Sequence, residues 1–251
     1  MAWNFEGKTV LVTGGTGGIG RAVSEAFGTA GAHVLITGRN AGYGEDLVGR
    51  LRMDGLSASF IRADLSGGGA AVRDLASKAL EAAGGTVDIL VNNAAALVAG
   101  QSMLDATEEQ IDDALAINVK VPFLLTAALV PAMIGKGEGV VVNMGSMNGS
   151  VGMSIAALYG ATKAGLHSLT KSWAAELASQ GVRVNTVAPG PTLTELNEAA
   201  WPMQRAFTAA FPDGRPGTAA EVASAVLFLA SADAAHIHGV TLPVDGGATT
   251  R

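Results

Sequence analysis

The chain contains no cysteine, which excludes disulfides and thiolate metal sites and suits a reducing compartment. It has no run of Lys and Arg. With a net charge of −6 and a pI near 5.2, nucleic acid is an unsuitable partner. Met1 to Val10 shows no basic stretch followed by an apolar one, so no secretory signal is expected. No apolar run approaches the roughly 20 residues of a membrane span, and the expectation is a soluble, cytoplasmic protein with no membrane partner. The histidines, His33, His167, His236 and His238, lack metal-ligand spacing with carboxylates; surface or packing roles and no metal site are expected.

What is present is small and apolar. The 251 residues are 49% hydrophobic and include 34 glycines, enough for a full core with close helix and backbone approach. Short β-branched runs alternate with helix-length stretches. The runs lie at Thr9–Thr13, His33–Thr37, Ala58–Ala63, Val87–Val91, Gly139–Met144, Val182–Val187 and Val240–Val244. Most are continuously apolar, as strands buried on both faces of a parallel sheet must be. Helices are predicted at Gly20–Ala30, Gly44–Asp54, Gly69–Ala83, Glu108–Ile134, Ala157–Ser179 and Ala219–Ala230. Thr107 reads as the N-cap of the fourth, with Glu108 and Glu109 in its first turn. The alternation predicts an α/β fold, a Rossmann-type doubly wound sheet of about seven strands with helices on both faces. One domain over 1–251 is the expected organisation.

The rhythm stops between Pro189 and Gly217. This segment has prolines at 191, 202, 212 and 216 and scattered large apolar residues, among them Leu193, Leu196, Trp201, Met203, Phe207 and Phe211. A long stretch without regular structure inside a compact domain reads as a lid or substrate loop.

The first strand leads into Thr13-Gly14-Gly15-Thr16-Gly17-Gly18-Ile19-Gly20, and a helix comes next. Glycines here permit a tight turn and close backbone approach to a pyrophosphate, which the helix N-terminus attracts. Dinucleotide binding is therefore expected at Gly14, Thr16, Gly18, Ile19 and Gly20. The second strand ends at Thr37-Gly38-Arg39 with no acid at 37–40. An acid there would hold the ribose of NAD, whereas Arg39 favours the 2′-phosphate of NADP. Asp64, past the third strand, either accepts from the adenine amino group or serves as the N-cap of the next helical segment.

Tyr159-Gly160-Ala161-Thr162-Lys163 opens a helical stretch, so phenol and ammonium share one face. A nearby cation is expected to lower the tyrosine pKa toward neutrality, as a proton donor and acceptor requires.

In order along the chain stand the glycine turn, Asn92-Asn93-Ala94-Ala95, Ser146, Tyr159 and Lys163, Pro189-Gly190, and the ending Val244-Asp245-Gly246-Gly247. Together they closely resemble the single-domain short-chain dehydrogenase/reductase family over essentially the whole chain. The resemblance implies a Ser-Tyr-Lys site that moves hydride between a nicotinamide cofactor and a carbonyl or alcohol. Tyr159 would be general acid for reduction and general base for oxidation. Lys163 would hold the nicotinamide ribose and depress the tyrosine pKa. Ser146 would stabilise charge on the substrate oxygen, and Asn118 would hold a water in the proton relay. Asn92 would brace the sheet under the cofactor, and Thr194 would contact the carboxamide. The cofactor surface would also include Asp64, Leu65, Ala94, Pro189, Gly190 and Thr192.

Two positions depart from the family pattern. Ala95 stands where glycine is frequent, and Gly17 where NADP-preferring relatives often carry a second base, leaving Arg39 as the main phosphate ligand. The expected function is an NADP(H)-dependent carbonyl reductase acting on an apolar ketone, with NAD(H) possible. Ala96, Leu97, Met147, Val151, Met153, Leu193 and Trp201 would form an uncharged pocket wall. The alternatives are an NAD-dependent alcohol dehydrogenase and a 3-oxoacyl-acyl-carrier-protein reductase. The acidic carrier of the latter should demand basic residues, but Trp173-Ala174-Ala175-Glu176 supplies none. A silent dinucleotide-binding regulator could have lost Ser146, Tyr159 or Lys163, and this chain keeps all three. The family's habit implies a homotetramer packed through helices 108–134 and 157–179.

Overall fold

The computed structural model describes residues 3–98, 100 and 102–250. Seven strands form one sheet: β1 (Thr9–Val12), β2 (His33–Gly38), β3 (Ala58–Arg62), β4 (Ile89–Asn92), β5 (Gly139–Met144), β6 (Val182–Pro189) and β9 (Thr241–Val244). Their order is β3-β2-β1-β4-β5-β6-β9, and every pairing is parallel. The seven apolar runs of the sequence are these seven strands, with ends shifted by a residue or two.

Successive strand residues point to opposite faces, and the core divides accordingly. Val10, Val12, Ile36, Val91 and Val142 pack on one side with α1 (Gly18–Thr29), α2 (Ala41–Met53) and α8 (Ala219–Ala230), burying Phe27, Leu47 and Val226. Leu11, Leu35, Leu90, Val141 and Val184 pack on the other with α3 (Gly68–Ala82), α5 (Val121–Lys136) and α6 (Ala157–Leu177), burying Leu75, Leu125 and Leu177. Each fully buried side chain of this size contributes about 1.5–3 kcal/mol.

Thr107 caps α4 (Glu108–Leu115) in a reciprocal capping box with Gln110. This helix runs through one π turn, Ala116–Lys120, into α5. The sequence expectation that no apolar segment approaches membrane-spanning length is corrected here. The continuous helix Glu108–Lys136 has 29 residues and a mean hydropathy of 1.8 over its most apolar window, long and apolar enough by length and composition to cross a bilayer. Charges spaced along it break the run in the sequence. In the fold, Val121, Leu125, Leu129 and Met133 lie in the core beside Leu90 and Val141.

A second correction concerns the segment 189–217, which is not without regular structure. Two-residue strands β7 (Thr192–Leu193) and β8 (Gly217–Thr218) pair, a 3-10 turn covers Glu195–Ala200, and α7 spans Trp201–Thr208. Pro202 sits in the first turn of α7, where a missing N–H costs nothing. The element is too short and too proline-rich to show a helical period in the sequence.

Candidate active site

The chain leaves β1 outward to β3 and then returns to β4, so the strand order reverses between β1 and β4 while every strand stays parallel. Ligands of open α/β sheets bind in the crevice at the carboxyl ends of strands beside such a reversal, and the glycine turn occupies that edge. Gly14 has φ +62°, and a side chain on Gly20 would lie 2.2 Å from the Gly14 oxygen and 2.4 Å from the Asn93 amide. Only glycine fits either place.

The turn is held from the neighbouring strand. Asn93 Nδ2 donates to the main-chain oxygens of Thr13 (2.8 Å) and Gly14 (3.1 Å), while Thr13 Oγ1 accepts from the N–H groups of Asn93 and Ala94. Thr13 and Asn93 were not among the expected site residues, although both lie in motifs already singled out. Thr16 lies against Gly38, so the glycine turn touches the end of β2. Arg39 is exposed beside it, and Arg62, in register with Gly38 on β3, donates from Nε to the Arg39 oxygen at 3.2 Å. A second guanidinium therefore stands beside Arg39, supplied by β3 and not by the glycine turn. Asp64 N-caps the next turn, accepting from Ser66 N (3.1 Å) and Ser66 Oγ (2.7 Å). Those bonds, with Arg39 and Arg62 nearby, hold its carboxyl below the usual range.

At the other end of the crevice, β5 delivers Ser146 and α6 delivers Tyr159 and Lys163. Ser146 is buried, and its Oγ accepts from Asn148 N at 3.2 Å. Lys163 is buried to 2% exposure; its Nζ donates to the Met144 oxygen at 2.8 Å and lies 5.6 Å from the Tyr159 ring centre. Burial lowers the lysine pKa to about 8. The expected lowering of the tyrosine is not found. Burial pushes the Tyr159 phenol up, and a hydrogen bond with Ser146 only partly opposes it. The ammonium faces the ring and a carbonyl, while desolvation disfavours phenolate.

The short chain dehydrogenase pattern matches residues 8–205. The chain belongs to the short-chain dehydrogenase/reductase family. It is 39% identical over 245 residues to the 3-oxoacyl-acyl-carrier-protein reductase of Escherichia coli (strain K12), covering 97% of this chain and 98% of that protein. It is 37% identical to D-threitol dehydrogenase of Mycolicibacterium smegmatis over 99% and 95% of the two chains. Among solved structures, a protein proposed to be an NAD(P)-dependent gluconate 5-dehydrogenase from Beutenbergia cavernae, with bound NADP at low occupancy, superposes with a TM-score of 0.92. Its identity is 33% and coverage is complete for both chains.

The remaining expected positions of this short-chain dehydrogenase take varied places. Asn118 lies in the π turn, whose extra residue is a common device at functional sites. Its Oδ1 accepts from Ala96 N (2.8 Å), and its Nδ2 donates to Ala96 O (2.9 Å) and Thr162 Oγ1 (3.0 Å). Both amide hydrogens thus join the loop after β4 to α6. Asn92 braces the sheet by donating to Asn143 Oδ1 (2.9 Å) and Thr126 Oγ1 (3.1 Å). Leu65 is buried, and Ile19 packs against the core from the glycine turn. Pro189 ends β6; Thr192 Oγ1 donates to the Gly190 oxygen at 3.0 Å. Thr194 N donates to Asn197 Oδ1 at 3.0 Å, and Trp201 Nε1 donates to Thr194 O at 3.1 Å.

Two further buried groups lie beside Ser146. His167 packs inside the fold against Gly145 and Ser146: a side chain on Gly145 would lie 2.3 Å from its Nε2, which accepts from Ser146 N at 3.5 Å. Burial and then Lys163 and Lys171 lower its pKa to about 4. Met147, expected in the pocket wall, is buried at 6% exposure, whereas Leu97 is 75% exposed. Among the described residues no three His, Cys, Asp or Glu side chains gather as metal ligands.

Proposed function

We propose that the protein is an NADP(H)-dependent carbonyl reductase for apolar ketones, working through Ser146, Tyr159 and Lys163, within one NAD(P)-binding unit spanning 1–251. The observation that carries it is the Lys163 ammonium, buried and 5.6 Å from the Tyr159 ring centre on the same helix, with buried Ser146 beside the phenol at the carboxyl end of β5. A phenol kept protonated by burial is suited to give a proton to a developing alkoxide, and Ser146 would hold that oxygen. The cofactor supplies the hydride. This chain's residues would hold it: the turn Gly14–Gly20 at the pyrophosphate, Thr16, Arg39 and Arg62 at the adenosine phosphate, Asp64 and Leu65 at adenine, and Ala94, Pro189, Gly190, Thr192 and Thr194 toward nicotinamide. Lys163 would lie under the ribose. NADP bound in the Beutenbergia protein supports this choice of dinucleotide.

Exposed apolar residues in the segments that flank the site favour an apolar substrate: Leu97, Met103, Leu104, Ile155 and Leu196. A second reading, reduction of a 3-oxoacyl chain carried on an acyl carrier protein, is favoured by the 39% identity to the Escherichia coli enzyme. The exposed charges of the 189–200 segment are Glu195 and Glu198, a poor match to an acidic carrier. Initial rates with a ketone series and a 3-oxoacyl carrier-protein thioester, each with NADPH and NADH, test the proposal. Fast reduction of simple apolar ketones with NADPH supports it, and turnover of the carrier thioester alone selects the second reading.

A homotetramer is proposed with it. Phe123 on α5 is 47% exposed and stacks edge-on against Trp173 of α6 at 5.6 Å, and Ile111 and Leu115 continue an uncovered apolar strip. Light scattering on the purified protein, giving four times the 25.1 kDa chain mass, is the expected result; a monomer would refute it.

A further inference from the structure

A carboxylate of the chain itself sits at the phosphate-binding turn. Glu195 Oε1 accepts the N–H of Gly18 at 2.8 Å, across 177 positions of sequence. Gly18 is the first residue of α1, has φ +56°, and its N–H belongs to the end of the helix that attracts anions. The next residue, Leu196, lies over the same turn: a side chain on Gly17 would meet it at 3.2 Å. Yet Leu196 is 74% exposed, so apolar burial does little to seat the segment there. Arg21, one turn further into α1, adds attraction to Glu195. Behind the carboxylate the segment is stiffened by Asn197, whose Oδ1 accepts from both Thr194 N (3.0 Å) and Trp201 Nε1 (2.9 Å).

We propose that Glu195 is an affinity-determining residue for the dinucleotide, an internal anion that occupies the pyrophosphate cradle and has to be displaced when the cofactor enters. The inference rests on the cofactor reading above. One N–H serves one strong acceptor, so a diphosphate entering the turn takes the Gly18 N–H from Glu195. A carboxylate that stayed at the turn would repel it. The exchange lowers the affinity for any ligand with a pyrophosphate and leaves an adenosine ligand without one unaffected. It also couples cofactor arrival to release of the segment that carries Thr194. A hydrogen bond to a charged group corresponds to about 10- to 100-fold in an equilibrium constant, which bounds the effect.

The test is calorimetric titration of the full-length parent, E195Q and E195D with NADPH and with adenosine 2′-phosphate. Glu195 is exposed, so neither change threatens folding. Aspartate keeps the charge but is one methylene too short to reach Gly18. Both variants are expected to bind NADPH about tenfold more tightly, with adenosine 2′-phosphate unchanged. Amides of 192–200 should exchange faster in both variants before nucleotide is added. Unchanged NADPH affinity in E195Q overturns the proposal. So does tightening in E195Q alone, which would mean repulsion at a distance, or an equal shift for adenosine 2′-phosphate. If adenosine 2′-phosphate and NADPH both fail to bind the parent, the cofactor reading falls and takes this inference with it.

Discussion

The ammonium of Lys163 lies 5.6 Å from the centre of the Tyr159 ring, on the same face of α6. The i, i+4 spacing brings them together, but the ammonium is spent on the Met144 carbonyl and the phenol stays above its ordinary pKa. Tyr159→Phe removes the phenol proton and keeps the ring. Turnover in ketone reduction should fall by about 10²–10⁴-fold, with the melting curve and NADPH affinity nearly unchanged. A Phe variant within tenfold of the parent rate would overturn the assignment.

Lys163 also sets a pH dependence. Its folded pKa of about 8 lies below the ordinary 10.5, so between those values the unfolded chain holds a proton that the native chain has released. By linkage, stability from this group rises with pH across about 8 to 10.5, and is lost as pH falls through 8. The slope is at most about 1.4 kcal/mol per pH unit. Urea unfolding at several pH values in that window should show this slope in the parent and not in Lys163→Met. Activity that depends on the cation should decline over the same rise in pH.

Cofactor choice is tested at the end of β2. Arg39→Ala and Arg62→Ala should each lower the preference for NADPH over NADH in kcat/KM, with about 10- to 100-fold lost when both are changed. An acid at Gly38 is a poor reversal of preference, because its Cβ would lie 2.8 Å from the Thr16 side chain; Arg39→Asp avoids the clash. A parent that favours NADH, or a double variant with an unchanged ratio, would leave both arginines as surface residues.

Stability has a different anchor. Arg183 on β6 donates to the carbonyl oxygens of Leu229, Ala230, Ser231 and Ala234 at the end of α8. A cation there satisfies orphan carbonyls and complements the helix dipole. Arg183→Met should cost about 3 kcal/mol and lower Tm by roughly 6–12 °C, with kcat unaffected. A change in Tm under about 2 °C, well below that range, would mean that other groups cap this helix end.

Much of the architecture comes from local pattern. Continuous apolar runs such as Val140–Val142 suit only strands covered on both faces, so a parallel sheet was legible before any contact was known. Gly14 and Gly20 could likewise be read, because a tight strand-to-helix turn excludes side chains whatever surrounds it. The helix in 201–208 was hidden, since eight residues with a proline near the start show too little period.

The rest depended on which distant groups the packing sets side by side. Whether Tyr159 is lowered by its lysine or raised by burial depends on solvent exclusion by the surrounding fold, which the helical spacing does not contain. Asn118 spends both amide hydrogens on Ala96 and Thr162 because a π turn rotates it between two elements. Arg62 reaches Arg39 only through the β2–β3 register, and Glu195 reaches Gly18 only through the fold of the β7 segment. Sequence by itself determined the elements, the glycine turn and the helical face of the proton donor, all set by interactions within a few residues. Tertiary structure alone decided charge state and occupancy, because desolvation and hydrogen-bond partners are properties of surroundings assembled from the whole chain.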